Sequence, residues 1–139
     1  MKPTWRDVLL LVALQFGASM AVSVLLALLR INDGSNSWVG IVGAMIGAQV
    51  FAIMREKKRP GFVPASAHEL AAGSSVFEAA LGAVFLLLAR KTGLVQISGS
   101  GLIMLMTLTV LLNYGLTRWG LRLGIRYVEK AAAERTETK

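Results

Sequence analysis

The chain has 139 residues, of which 55% are hydrophobic, with a mean hydropathy of +0.60 and a formal charge of +7. That is too apolar for an ordinary soluble domain of this size, and the absence of cysteine removes disulfide frameworks and thiolate chemistry. The basic charge does not imply nucleic acid as a partner. The lysines and arginines sit at the ends of apolar runs, and no soluble domain is left to present them.

Four apolar runs follow one another at residues 8–29, 38–54, 70–89 and 102–117. A helix needs about 20 mostly apolar residues to cross the hydrocarbon, so the sequence predicts an all-α polytopic membrane protein, a four-transmembrane-helix bundle in a single domain over residues 1–133. Lys2 and Arg6 before the first run resemble the basic start of a signal peptide. The run continues well past the roughly 7–15 residues of a signal core, which makes it a retained first span. After it, residues 31–37 (I-N-D-G-S-N-S) are turn chemistry with Ser or Asn to cap the second helix.

Between the second and third runs, Arg55–Arg59 is a charge cluster followed by Pro60-Gly61. Ser66 and Glu69 then match a capping box that would open the third helix. Residues 91–100, containing Gly93 and Gly99, are expected only to connect. Arg118, Arg122 and Arg126 recur every four residues with Leu121, Ile125 and Val128 between them. That spacing predicts an amphipathic cytoplasmic extension of the last helix on the inner leaflet, ending near Ala133, with 134–139 as a flexible tail.

Placing both termini on the cytoplasmic side puts Lys2, Arg6, Arg55, Lys57, Lys58, Arg59, Arg118, Arg122, Arg126, Lys130, Arg135 and Lys139 inside. Only Arg30, Arg90 and Lys91 are then outside, a distribution of 12 to 3. Trp5, Trp38 and Trp119 all fall at span boundaries, as expected for an aromatic belt.

Glu78 is the residue most in need of a partner. It lies roughly 12 Å into the bilayer from Leu70, and an ionised carboxylate at such a depth costs several kcal/mol unless paired. It is therefore either protonated or partnered. Gln15 and Asn113 reach comparable depths of roughly 10 and 8 Å. With Thr109 and Ser74, these residues are expected to form one buried polar layer, with Tyr114 nearby and Arg55 or Arg118 able to reach toward Glu78. The structural account of that layer is hydrogen bonding that pins the bundle; the functional account is a proton or cation pathway. Gly40, Gly43, Ala44 and Gly47 form a small-residue face for close helix packing, within the monomer or between copies. Gln49 lies opposite that face and is expected to snorkel or to meet a partner.

His68 stands alone, so it can build neither a haem pair nor a zinc site, and it is expected to be a solvated residue at a helix start. The sequence has no nucleotide-binding loop, HExxH or nucleophile elbow. No enzyme activity, metal or cofactor is expected. Arg55, Lys57, Lys58, Arg59, Arg118, Arg122 and Arg126 should attract anionic lipid at roughly 1 kcal/mol per charge, or an acidic protein partner.

Phe51, Arg55, Arg59-Pro60 and Glu69 resemble a pattern in short, uncharacterised four-helix bacterial inner-membrane proteins. The resemblance implies a bacterial inner membrane and carries no activity with it. Two functions follow as expectations. The first is an accessory or interaction protein that docks on or modulates a larger membrane complex. The second is a small proton-coupled transporter acting as a homodimer through Glu78. In outline the chain is similar to small multidrug-resistance transporters, which place their acid in the first helix, where this chain has Gln15.

Overall fold

A computed structural model describes residues 2–29, 37–94 and 96–137, and within them the protein is all-helical. The helices are α1 (Trp5–Leu28), α2 (Ser37–Lys58), α3 (Phe62–Lys91) and α4 (Gly99–Glu137). All four are long and apolar enough to cross a membrane, which is consistent with a multi-pass membrane protein. Most of the turn predicted after the first span, including its cap for α2, lies outside the described residues, as do Arg30 and Lys139.

The starts of α1, α3 and α4 each have an identifiable cause. Thr4 precedes α1, and both its N–H and its hydroxyl donate to Asp7 Oδ2, at 3.0 and 2.8 Å. This is the carboxylate half of a capping box. Before α3, Gly61 takes φ 80°, a left-handed turn that glycine adopts without a Cβ penalty. Glu56, still on α2, accepts the N–H groups of Gly61 and Val63, the latter at 3.2 Å. Pro64 falls in the first turn of α3, where a missing N–H leaves no intrahelical bond unmade.

These contacts correct the expected start of the third helix. Ser66 lies inside α3 and donates to Phe62 O at 2.6 Å, so the Ser66–Glu69 capping box does not open the helix. A single left-handed glycine completes the turn and a carboxylate from the preceding helix supplies the cap. The helix therefore starts directly after Gly61. At its other end, Gly93 (φ 74°) follows Thr92, and Leu94 N–H returns to Ala89 O at 2.9 Å, closing the helix in the usual glycine-terminated way. At the start of α4, Gly101 N–H donates to Ser98 Oγ at 3.1 Å.

Around the bundle the order is α1–α2–α4–α3, with α2 between α1 and α4 and only a light contact closing α3 onto α1. Glycines set the two tight seams of α2. A Cβ on Gly43 would lie 2.6 Å from Ser19 Cα, and one on Gly47 would lie 2.5 Å from Gln15 N, so the small face of α2 receives α1. On its other side, a Cβ on Gly120 would lie 2.7 Å from Met45 O and one on Gly124 2.7 Å from Gln49 O. This second glycine pair, also four residues apart, seats α4 against α2. Gln49 thus borders the α4 seam.

The buried side chains gather at one end, here called basal, which holds the start of α1, the α2–α3 turn and the second half of α4. Val8, Leu11, Ala48, Phe51, Ala52, Phe62, Val63, Leu70 and Leu121 form that core. Toward the opposite, distal end, Met20, Leu28, Phe85, Ile103, Met104 and Leu111 are exposed, as lipid-facing side chains would be. Leu121 and Gly124 are buried, so the arginine-bearing stretch of α4 spends its apolar face on α2 instead of presenting it freely. The helix also continues past Ala133, through Glu137.

Candidate functional site: a polar chamber shared by four helices

Gln15, Glu78 and Asn113 converge on one cavity of about 190 Å³, which is also lined by Phe16, Ser19, Gly40 and Ala44. Every helix contributes to its wall. At about 30 Å³ per molecule in the liquid, such a space has room for roughly six waters.

Glu78 is partly buried, and its Oε2 accepts the Asn113 amide at 2.6 Å, tying α3 to α4. Gln15 is only 2% exposed. Its amide nitrogen donates to Thr117 Oγ1 at 2.9 Å and to Ala44 O at 3.3 Å, tying α1 to α4 and α2. The Ala44 contact fixes the orientation of the amide, because a carbonyl oxygen can only receive a proton. Gln15 Oε1 is left fully buried with no hydrogen-bond partner. A buried unpaired acceptor costs about 1–3 kcal/mol. Gln15 and Glu78 thus line one space with room for water, and the carboxylate is the group there that can exchange a proton.

Two residues expected in this layer stand apart from it. Ser74 is buried, but its hydroxyl donates to Ala71 O at 3.2 Å on its own helix. Thr109 Oγ1 donates to Leu105 O at 2.8 Å and borders a separate, apolar groove between α3 and α4. In both cases the neighbouring carbonyl of the helix wins the hydroxyl. Of the small face, Gly40 and Ala44 line the chamber, while Gly43 and Gly47 lie under α1.

The arginines expected near Glu78 are engaged elsewhere. Arg55 Nη2 pairs with Asp7 Oδ1 at 2.5 Å, with its guanidinium carbon 5.8 Å from the centre of the Phe51 ring. Arg118 Nη1 donates to the Tyr114 hydroxyl at 3.0 Å, and that hydroxyl stands 2.7 Å from His68 Nδ1. His68 is exposed, as a solvated residue would be, yet it is fixed by Tyr114 within α3 rather than at its start. Lys57, Lys58, Arg59, Arg122 and Arg126 are exposed. Among the described residues no group of three or more His, Cys, Asp or Glu side chains could hold a metal.

Sequence reasoning passed over Asp7, Glu56, Gly120 and Gly124. Thr4-x-x-Asp7 has the spacing of a capping box and Gly120-xxx-Gly124 that of a close helix contact, so both carried a readable signal. Glu56 carried none, because its cap reaches across a turn. Comparison with protein-family models, curated proteins and solved structures finds no match.

Proposed function

We propose that the protein is a small proton-coupled transporter of a bacterial inner membrane, with both termini cytoplasmic and Glu78 as the group that takes up and releases the proton. The observation that carries this reading is the four-helix chamber, which the Glu78 carboxylate lines together with Gln15 and Asn113. Intramembrane carboxylates facing a cavity are the usual elements of proton relays. The orientation rests on the 12-to-3 distribution of basic residues. A homodimer would meet through a face other than Gly43 and Gly47, which α1 already covers.

With a lipophilic cation trapped inside as the exchange substrate, and potassium with valinomycin to clamp charge, reconstituted vesicles loaded with a pH-sensitive dye should acidify faster than empty vesicles after an external acid step. Glu78→Gln should bring the rate down to that of empty vesicles while leaving the protein folded. Equal rates for the two proteins would remove proton coupling through this residue.

The basal end favours a second reading, that of an accessory protein docked on a larger complex. Lys57, Lys58 and Arg59 are exposed together at the α2–α3 turn, at the same end of the bundle as the arginine-bearing stretch of α4. Reversing all three charges should release a co-purifying partner at physiological salt without unfolding the bundle. A partner retained by the reversed protein would rule out docking through this turn.

A further inference from the structure

Arg118 makes no ion pair with a carboxylate among the described residues, where the pairs are Arg55–Asp7 and Lys130–Glu134. It is nevertheless held in place. Nη1 donates to the Tyr114 hydroxyl at 3.0 Å, and the guanidinium carbon stands 6.0 Å from the centre of that ring. Tyr114 in turn meets His68 edge-on, with ring centroids 5.6 Å apart.

A hydroxyl that accepts an arginine N–H keeps one proton of its own, and in the tautomer whose Nδ1 is bare the contact 2.7 Å away at His68 takes it. The imidazole proton then sits on Nε2, the nitrogen away from Tyr114. The cluster thus offers the free N–H groups of Arg118 and the Nε2–H of His68, while its nitrogen acceptor is already used. A set of donors with a fixed arginine fork is the chemistry that recognises phosphate oxygens.

Position narrows the source of the phosphate. Arg118 closes the apolar run of α4, and His68 stands two residues before Leu70, where the apolar run of α3 begins. The donors therefore sit where both helices leave apolar sequence, at the level of lipid headgroups. Glu69 adjoins His68 in sequence but is exposed and makes no ion pair with Arg118.

We propose that His68, Tyr114 and Arg118 form a binding site for the phosphate of an anionic membrane lipid, distinct from the diffuse attraction of the surrounding bases. The test is native mass spectrometry of the full chain titrated with short-chain phosphatidylglycerol, and in parallel with inorganic phosphate. Saturable one-to-one binding of the lipid is expected. Arg118→Gln should weaken it at least tenfold, and His68→Ala or Tyr114→Phe severalfold. Arg118→Lys, which keeps the charge but loses the fork, should fall between.

Arg135→Gln removes one exposed charge from the same helix, outside the basic set expected to attract lipid, and should leave the affinity unchanged. Equal loss in Arg135→Gln and Arg118→Gln would reduce the effect to bulk electrostatics and overturn the site. So would lipid binding that is absent, non-saturable or indifferent to Arg118 and His68. Inorganic phosphate binding as tightly as the lipid, with the same sensitivity to the variants, would uphold the phosphate contacts and reject the lipid as their source.

Discussion

Gly47→Ala is expected to unfold the bundle at a markedly lower mole fraction of sodium dodecyl sulfate than the parent protein. The added methyl would lie 2.5 Å from Gln15 N and 2.7 Å from Leu14 C, both backbone atoms that cannot rotate aside. Relief requires α1 and α2 to separate. Forcing extra atoms into a close-packed contact costs about 1–3 kcal/mol, and occasionally more. In lipid the loss is not offset by hydrophobic burial elsewhere, because close packing itself drives association there.

Separation of the helices would also pull Gln15 from Thr117 and Ala44, so the damage would reach the chamber. Gly120→Ala should behave similarly, since its methyl would lie 2.7 Å from Met45 O and 2.8 Å from Ala48 Cβ. Gly115 supplies the control. Nothing lies within 4 Å of its added Cβ, and alanine there should be neutral or gain up to about 1 kcal/mol in helix propensity. Circular dichroism during detergent titration reads all three variants. Coincident transitions for Gly47→Ala and Gly115→Ala would mean that α1 and α2 are not in such close contact.

These glycines show where the sequence was readable. Four long apolar runs with bases at their ends define the helices, because in hydrocarbon the backbone has no alternative to satisfying itself within the helix. The convergence of Gln15, Glu78 and Asn113 was legible from depth alone, since 1.5 Å per residue places each from its own helix end. Rotation and neighbour choice were not. The cavity joins Asn113 to Glu78 but leaves Thr109 outside, although the two lie four residues apart on α4.

The order α1–α2–α4–α3 was equally hidden. It depends on α2 having glycine or alanine on two faces, so that two helices approach it at once. The α3 start was misplaced for a related reason. A serine and a glutamate three residues apart are a local signal, whereas the actual cap comes from Glu56 on the neighbouring helix. Long-range contacts of this kind leave no periodicity in the chain.

The Asp7–Arg55 pair is another contact of that kind, and breaking it should be at least as costly as crowding Gly47. Asp7 is 3% exposed and receives Thr4 on one oxygen and Arg55 on the other. Arg55→Leu would strand this carboxylate in a nearly dry site, a change that typically costs about 3–5 kcal/mol. Stability in membranes or water is rarely more than about 5–15 kcal/mol in total, so much of the folded population at elevated temperature would be lost. Asp7→Asn should cost less. The asparagine oxygen can still accept from Thr4, and Arg55, with about a fifth of its side chain exposed, can turn toward water.

The decisive measurement is the double variant Asp7→Asn with Arg55→Leu. Removing both charges leaves nothing ionised in the basal core, so the pair should recover about 1–3 kcal/mol relative to the sum of the single losses. Strictly additive losses would show that the two residues act separately. Recovery would identify the pair as the clasp between the first turn of α1 and the last turns of α2. Its opening would loosen the basal end first, and the Gln15–Thr117 contact two turns above Val8 would follow.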